Sequence, residues 1–276
     1  MKTKSILILS AAAGAGHVRS AEALAETAKS LSIPIETRHE DILDFTFPIF
    51  KKIYSDIQFA VVDRSPELWG YFYKKTEFEG LPKPTTPIKR IFNHFNYKRY
   101  RKLLDESRPD AVICTHFLPY RCIAEQMKQP EWSIPFFTVT TDYDLHSLWV
   151  NPSVKHYYVP TEQALWTLKS HGIHEDSISV KGIPLMPSFA CRMSPCEARR
   201  EMGLSPDKFT IMVLSGGYGT GTVDNVISSI TQFLSSESKR TFQLIFVCGK
   251  NARLFEALSK IVFPSNVEQQ IGRAHV

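Results

Sequence analysis

Residues 6–24 read ILILSAAAGAGHVRSAEAL and describe an apolar strand, a small-residue turn and the start of a helix. Ile6 to Leu9 form the strand, and apolar side chains recur at helical spacing from Val18 to Leu31. In an open α/β fold, a loop between a strand and a helix lies at the carboxyl edge of a parallel sheet, where ligands bind. We therefore expect His17 to lie at the mouth of a cleft.

Apolar strand candidates alternate with helical patterns along the rest of the chain. This alternation predicts an α/β protein with doubly wound parallel sheets. The strand candidates are residues 6–9, 111–114, 136–140, 156–159, 178–180, 211–214 and 244–247.

The pattern divides the chain into two domains joined by a linker. Residues 1–190 are predicted to form a Rossmann-like domain, and residues 191–207 a linker with one short helix. Ser194, Pro195 and Glu197 supply the N-cap, first position and capping-box carboxylate of that helix. Residues 208–270 begin a second α/β domain with another strand that enters a glycine-rich loop.

The second domain is expected to be incomplete. Residues 208–270 suffice for two strand-helix units, whereas a doubly wound domain needs about 100 residues. The last six residues, IGRAHV, match the translation of a common sequencing adapter, so residues 271–276 are expected to be a non-native tail.

The composition is that of a soluble globular protein: 43% of the residues are hydrophobic and 22% are charged. No apolar run approaches the ~20 residues that a membrane helix needs. The five cysteines include no CxxC pair, which favours reduced thiols in a cytoplasmic setting over a disulfide framework or a metal site.

Residues 47–104 carry the basic character of the chain. They contain twelve Lys or Arg against five Asp or Glu, and 13 of the 32 aromatic residues. Basic and aromatic residues that alternate in this way suit an anionic membrane surface or a nucleic acid. A solvated helix face with its aromatic side chains in the core remains an equal alternative.

Several motifs together resemble one enzyme family. The chain is similar to the monogalactosyldiacylglycerol synthase and processive diacylglycerol glucosyltransferase family, within glycosyltransferase family 28. This resemblance implies a GT-B fold, with two Rossmann-like domains that face a cleft. The motifs, in chain order, are GAGHVRSAEAL (14–24), RPDAVICTH (108–116), VTTDYDLHSLW (139–149), HYYVPTEQAL (156–165), VKGIPL (180–185) and VLSGGYGTG (213–221).

The resemblance implies an inverting hexosyltransferase that moves glucose or galactose from a UDP-sugar to diacylglycerol. The UDP-sugar is a substrate, so no cofactor or metal is expected. The enzyme is expected in the cytoplasm, docked on an anionic membrane surface and without a nucleic-acid partner. Two alternatives remain: transfer to another lipid-linked acceptor of the peptidoglycan-precursor type, and a non-catalytic protein that binds anionic surfaces or nucleic acid.

His17 is the candidate catalytic base. Inverting transfer needs a group that takes the proton of the acceptor hydroxyl, and histidine titrates in the right range. The alternative is a histidine bonded to the backbone in the first turn of a helix. Gly14 and Gly16 are expected to permit the turn and the close approach of a substrate.

Two further pairs of polar residues follow strands and are expected on the acceptor side of the cleft. They are Thr115 with His116, and Thr141 with Asp142. Asp142 is expected to orient a histidine or the acceptor hydroxyl, and His146 and Trp149 to shape the pocket for the lipid glycerol. A buried core histidine is an equal alternative for His116.

The second glycine loop is expected to bind the donor diphosphate through backbone N–H groups. Its residues are Ser215, Gly216, Gly217, Gly219 and Gly221. The family's uridine-binding segments lie farther along, so the chain as given is expected to be inactive.

The membrane surface is expected to include Trp69, Lys98, Arg99, Arg101 and Lys102.

Overall fold

The computed structural model describes most of the chain, in two compact units, Met1–Cys191 and Arg192–Val276. The described residues are 2–12, 14–48, 51–52, 54, 98–123, 126–130, 132–190, 192–214, 223–237, 240–249 and 251–272.

The first unit is built on a six-stranded parallel sheet with the order β2-β1-β3-β4-β5-β6. The strands are β1 (Lys4–Ser10), β2 (Ile35–Asp41), β3 (Ala111–Cys114), β4 (Phe136–Val139), β5 (His156–Val159) and β6 (Ile178–Val180). Strand β1 pairs with β2 on one side and with β3 on the other, so the chain reverses its direction of winding at the carboxyl ends of β1 and β3. Open α/β sheets bind ligands at such a point.

Helices connect these parallel strands. They are α1 (Ala15–Ser30), a helical segment at residues 98–107, α2 (Leu118–Cys122) and α3 (Glu162–Ser170). A 3₁₀ turn, Ser147–Trp149, follows β4. Large side chains from several of these elements fill one core, among them Tyr100, Tyr120, Phe136, Trp149 and Tyr157, each at most 1% exposed. Burial of such side chains stabilises the fold by about 2 to 3 kcal/mol each.

The second unit has a three-stranded parallel sheet with the order β7-β8-β9. Its strands are β7 (Phe209–Leu214), β8 (Phe242–Val247) and β9 (Val267–Gly272), and its helices are α4 (Pro195–Glu201), α5 (Val223–Ser236) and α6 (Ala252–Ser259). Helix α4 begins with the predicted capping box between Ser194 and Glu197. The buried side chain of Gln243 bonds to both backbone groups of Ser205, which ties the loop before β7 to the sheet.

Each predicted strand is present within a residue or two, but two strands were missed. Strand β2, with the sequence IETRHED, lies at the edge of its sheet and exposes or half-exposes most of its side chains. Strand β9, with the sequence VEQQIG, is also an edge strand. These two edge strands gain their backbone hydrogen bonds without a continuous apolar run, so their patterns are weak, whereas the edge strands β6 and β7 are apolar enough to be predicted.

One expectation for the second unit needs correction. It was expected to hold two strands, and the structure has three, because β9 pairs with β8 from Val267 to Gly272. Ile271 packs against the core of this unit, so the first two residues of the segment expected to be a tail take part in the sheet. Whether residues 271–276 are native stays a prediction.

Candidate active site

The candidate site lies at the carboxyl ends of three adjacent strands, β1, β3 and β4. The loop after β1 leads into α1 and to His17. Thr115 and His116 follow β3, and Thr141 and Asp142 follow β4 after one further residue. Because the strands are parallel neighbours, these five residues share one edge of the sheet, as the sequence predicted.

His17 is fixed through one nitrogen of its ring. Its Nδ1 lies 2.9 Å from the carbonyl oxygen of Thr115 and 2.7 Å from Oγ1 of Thr141. A carbonyl oxygen can only accept a hydrogen bond, so Nδ1 carries the proton when the ring is neutral. The lone pair is then on Nε2, which has no hydrogen-bond partner among the described residues. This tautomer suits a group that accepts a proton at Nε2.

Thr115 also holds the backbone of the helix that carries His17. Its Oγ1 donates a hydrogen bond of 2.8 Å to the carbonyl oxygen of His17. Thr115 therefore contacts both the side chain and the main chain of His17, which joins the first turn of α1 to the end of β3.

The pKa of His17 is lowered below the ordinary value, chiefly because burial disfavours the charged ring. The negative charge of Asp142 and the hydrogen bond to Thr115 oppose this effect and favour the protonated form. His17 is therefore neutral at physiological pH, and its surroundings partly stabilise the positive charge that it gains when it accepts a proton.

Asp142 acts on His17 by charge, whereas the Nδ1–H of His17 donates to the carbonyl of Thr115 and faces Oγ1 of Thr141, the neighbour of Asp142. Oδ2 of Asp142 accepts a hydrogen bond of 2.8 Å from Nε1 of Trp149. The expectation that Asp142 orients a histidine thus takes a different form: Trp149 orients Asp142, and Thr141 and Thr115 orient the histidine.

His116 is a buried histidine packed beside His17. Its Nδ1 accepts a hydrogen bond from the backbone N–H of Leu118, and its ring meets that of His17 edge to face, with 4.6 Å between the ring centres. Burial lowers the pKa of His116 well below its ordinary value, so this ring stays neutral. The structure thus favours the alternative of a core histidine that supports the site.

His146 and Trp149 are both buried. Nδ1 of His146 accepts from the backbone N–H of Leu148 and caps the 3₁₀ turn. Trp149 is fully buried and donates a hydrogen bond to Asp142, so in this structure it supports the site. Their role in a glycerol pocket stays a prediction.

The two glycines of the loop differ from expectation in one respect. Gly14 has an extended backbone, with φ at 177°, and neither Gly14 nor Gly16 adopts the left-handed backbone conformation that favours glycine. The turn itself therefore does not require glycine. A methyl group added at Gly16 would meet no described atom within 4 Å outside its own helical turn. Close approach of a substrate at Gly14 and Gly16 stays a prediction.

No sequence pattern pointed to the residues that hold the 147–150 turn. The guanidinium of Arg121 and the hydroxyls of Tyr120 and Tyr157 all donate to carbonyl oxygens of this turn. Such contacts depend on main-chain geometry, and LPYRC, the sequence of α2, shows only a short helix with one arginine.

Four of the five residues expected at the membrane surface lie on the helical segment 98–107, and Trp69 lies outside the described residues. Arg101 pairs with Asp105 at 2.9 Å, and Lys102 with Glu106 at 3.6 Å. The guanidinium of Arg99 donates to the carbonyl oxygen of Thr46. Lys98, Arg99 and Lys102 are exposed, and Tyr100, Leu103 and Leu104 face the core.

The expected diphosphate loop, residues 215–221, also lies outside the described residues. Within the residues that are described, no group of three His, Cys, Asp or Glu side chains could hold a metal ion. No described helix has both the length and the apolar character needed to cross a membrane.

Comparison with known sequences identifies the family. The sequence model of the monogalactosyldiacylglycerol (MGDG) synthase family matches residues 17–185. The processive diacylglycerol beta-glucosyltransferase of Bacillus subtilis (strain 168) is 30% identical over 259 residues, which cover 94% of this chain and 64% of the relative. The enzyme of the same name from Bacillus mycoides (strain KBAB4) is 28% identical over 262 residues, 95% of this chain and 64% of the relative. This chain thus spans a little under two thirds of the length of these relatives.

Comparison with solved structures identifies the fold. UDP-GlcNAc 2-epimerase from Neisseria meningitidis, bound to UDP-GlcNAc, aligns with a TM-score of 0.54 and 14% identity, over 99% of this chain and 73% of that one. The S. aureus MnaA–UDP structure aligns with a TM-score of 0.53 and 14% identity, over 97% and 68%. At these identities the likeness shows the fold alone, which is of the GT-B type. The chain belongs to the monogalactosyldiacylglycerol synthase family.

Proposed function

We propose that the protein is an inverting glycosyltransferase that transfers a hexose from a UDP-sugar to the hydroxyl of diacylglycerol. The names of the family and of its Bacillus relatives support sugar transfer to diacylglycerol. The structures of two proteins with the same fold were solved with UDP-GlcNAc and with UDP, which supports a UDP-sugar donor. Residues 1–190 would supply the acceptor side, and residues from 208 onward the donor side.

The observation that carries the proposal is the fixed tautomer of His17. With Nδ1–H bound to the carbonyl of Thr115, the lone pair of Nε2 is available to the acceptor hydroxyl. The acceptor oxygen attacks the anomeric carbon as the bond from that carbon to the diphosphate breaks. The hydroxyl proton moves to Nε2, and UDP leaves with the electron pair.

The surroundings of His17 suit both halves of this proton transfer. Burial keeps the ring neutral before the step, and the charge of Asp142 favours the imidazolium that forms. His116 stays neutral beside it, so it adds no positive charge that would oppose proton transfer. The proposed mechanism uses no cofactor.

The proposal also includes docking on an anionic membrane, because diacylglycerol resides in a bilayer. The exposed basic side chains of the helical segment 98–107 support this location. Basic residues near an anionic surface are attracted to it at salt concentrations found in cells.

The test of the proposed base is His17→Ala in the complete protein. Removal of a positioned general base lowers turnover by roughly 10²- to 10⁴-fold, and UDP-sugar affinity is expected to stay near the wild-type value. Turnover is measured with labelled UDP-glucose and UDP-galactose on vesicles that contain diacylglycerol, and donor affinity by calorimetry.

His174→Ala is the matched control, because His174 is exposed and pairs only with Asp176 among the described residues. This variant should keep wild-type turnover. If His17→Ala retains turnover within about twofold of wild type, His17 does not transfer the proton.

A further inference from the structure

Two adjacent residues of α2 hold four successive carbonyl groups of the turn after β4. Nε of Arg121 donates to the carbonyl of Leu148 at 2.9 Å, and Nη2 donates to those of Ser147 at 3.0 Å and Val150 at 3.3 Å. The hydroxyl of Tyr120 donates to the carbonyl of Trp149 at 2.8 Å. Helix α2 therefore fixes the path of the main chain from residue 147 to residue 150.

Arg121 makes these contacts although its side chain is exposed. A guanidinium presents five N–H donors in a rigid plane, so one arginine can bind several carbonyls at fixed angles. A lysine ammonium keeps the charge but lacks this planar arrangement. The arrangement thus depends on the shape of the guanidinium, and its loss does not open a cavity in the core.

The turn that Arg121 holds leads directly to the candidate base. Trp149 lies at the end of the 3₁₀ turn, and its indole N–H donates to Oδ2 of Asp142. Asp142 is the charged group that acts on His17. Thr115 and His116, which lie just before α2, contact His17 directly.

We infer that Arg121 is a positioning residue: its guanidinium fixes the turn at residues 147–150, and Trp149 in that turn holds the carboxylate of Asp142 beside His17. Only the effect on turnover rests on the proposed function. The geometry of the site can be measured in the absence of any substrate.

The groups that face His17 allow a displacement of Asp142 to be measured as a change in the pKa of His17. Thr115 and Thr141 bind its Nδ1, and neither side chain titrates in the relevant range. His116 packs against the ring and stays neutral. Asp142 is the one acidic residue among the described residues that is found to favour the charged form of His17. A displaced Asp142 therefore changes the titration of His17 in one direction, toward a lower pKa.

The test is Arg121→Lys, read by the NMR titration of the His17 imidazole in the intact chain. Because lysine keeps the charge, a direct electrostatic role predicts no change. A positioning role predicts that the pKa of His17 falls below the wild-type value, since Asp142 is held less firmly. His17→Gln assigns the His17 signal among those of the nine histidines.

Trp149→Phe tests the next link, because it removes the indole N–H and keeps an aromatic ring in the core. It too should lower the pKa of His17. If both changes act through one path, the shift in the double variant is smaller than the sum of the two single shifts. Additive shifts would show that Arg121 does not act through Trp149.

Arg199→Lys is the matched control. Arg199 is also an arginine that donates to a main-chain carbonyl, that of Pro206, and it lies in the second unit. Its replacement should leave the titration of His17 unchanged. An unchanged titration in Arg121→Lys, with a near-ultraviolet dichroism spectrum like that of wild type, would overturn the inference.

In the complete protein, Arg121→Lys should lower kcat by roughly tenfold to a hundredfold, the usual cost of a misplaced catalytic group. A shifted His17 titration, together with a complete wild-type protein that transfers no hexose, would refute the proposed function and leave the positioning role standing. An unshifted titration in an active enzyme would refute the positioning role alone.

Discussion

Thr115 binds the ring of His17 through its main-chain carbonyl. Every residue has such a carbonyl, so the residue type does not reveal this contact. Its carbonyl selects the tautomer of His17, and its hydroxyl ties down the helix that carries the ring. The sequence could predict that His17, Thr115 and Thr141 share the edge of the sheet, because each follows a strand. It could not predict which atom of Thr115 faces the ring, because that depends on the register of β3 against β1.

Arg121 shows the limit of residue-level prediction more clearly. Its partners are carbonyls of residues 147, 148 and 150, which have no side-chain signature. For His116, by contrast, the sequence already offered a core role as an alternative. Its burial and the hydrogen bond that it accepts from Leu118 agree with that role.

The lowered pKa of His17 predicts a definite pH dependence. The base works in its unprotonated form, so kcat/KM should rise with pH through a pKa below the ordinary 6.5 of histidine and level off above it. Asp142→Asn removes the charge that favours protonation, so its acid limb should lie at still lower pH. Initial rates on diacylglycerol vesicles from about pH 5 to pH 8 measure both profiles. An acid limb above pH 6.5 in wild type, or a shift to higher pH in Asp142→Asn, would contradict this assignment.

Among the elements, every described strand was readable from the sequence except β2 and β9, which are two of the four edge strands. Strands β3, β4 and β5 lie inside their sheet and are short, largely apolar runs whose side chains are buried or half-buried. Strands β2 and β9 each have one free edge in the described sheets and carry charged or amide side chains. Their positions follow from pairing with β1 and β8, which is a tertiary effect.

The helical segment 98–107 provides the test of membrane docking. Replacement of Lys98, Arg99, Arg101 and Lys102 by Gln should weaken binding to anionic vesicles, by on the order of 1 kcal/mol for each charge near the surface. Binding to neutral vesicles should change little. Sedimentation with vesicles that contain or lack phosphatidylglycerol measures the difference.

The acidic partners on the same segment give the matched control. Asp105 and Glu106 pair with Arg101 and Lys102, so Asp105→Asn with Glu106→Gln should strengthen binding to the anionic vesicles. Equal binding of the wild type and the quadruple Gln variant would show that this segment is a solvated helix face and does not dock on the membrane.

On the scale of the whole molecule, the two units differ in how well their sheets are covered. In the second unit, β7 pairs only with β8 among the described strands, and Phe209 and Leu214 are each 66% exposed. This chain also spans 64% of the length of the Bacillus subtilis relative. Both facts bear on the donor side, which we assign to the second unit.

We therefore expect residues 1–276 alone to bind UDP weakly or not at all and to form no detectable glycolipid. Among the described strands of the second unit, β7 pairs only with β8, and a sheet of three strands is small for enclosing a nucleotide. Calorimetry with UDP and a transfer assay on diacylglycerol vesicles measure this, with the Bacillus subtilis relative as the positive control. Micromolar affinity for UDP, or measurable product, would show that this segment of the second unit suffices.

Every described side chain that holds His17 belongs to the first unit, from Thr115 and Thr141 to Trp149 and Arg121. Recombination between genes with a breakpoint near residue 191 would therefore transfer His17 together with the residues that hold it. The second unit could then diverge, or be replaced by that of another lineage, without disturbing the geometry around His17. If the second unit binds the donor, as proposed, recombination could give the enzyme specificity for a new sugar donor. His17 and the residues that hold it would be inherited together.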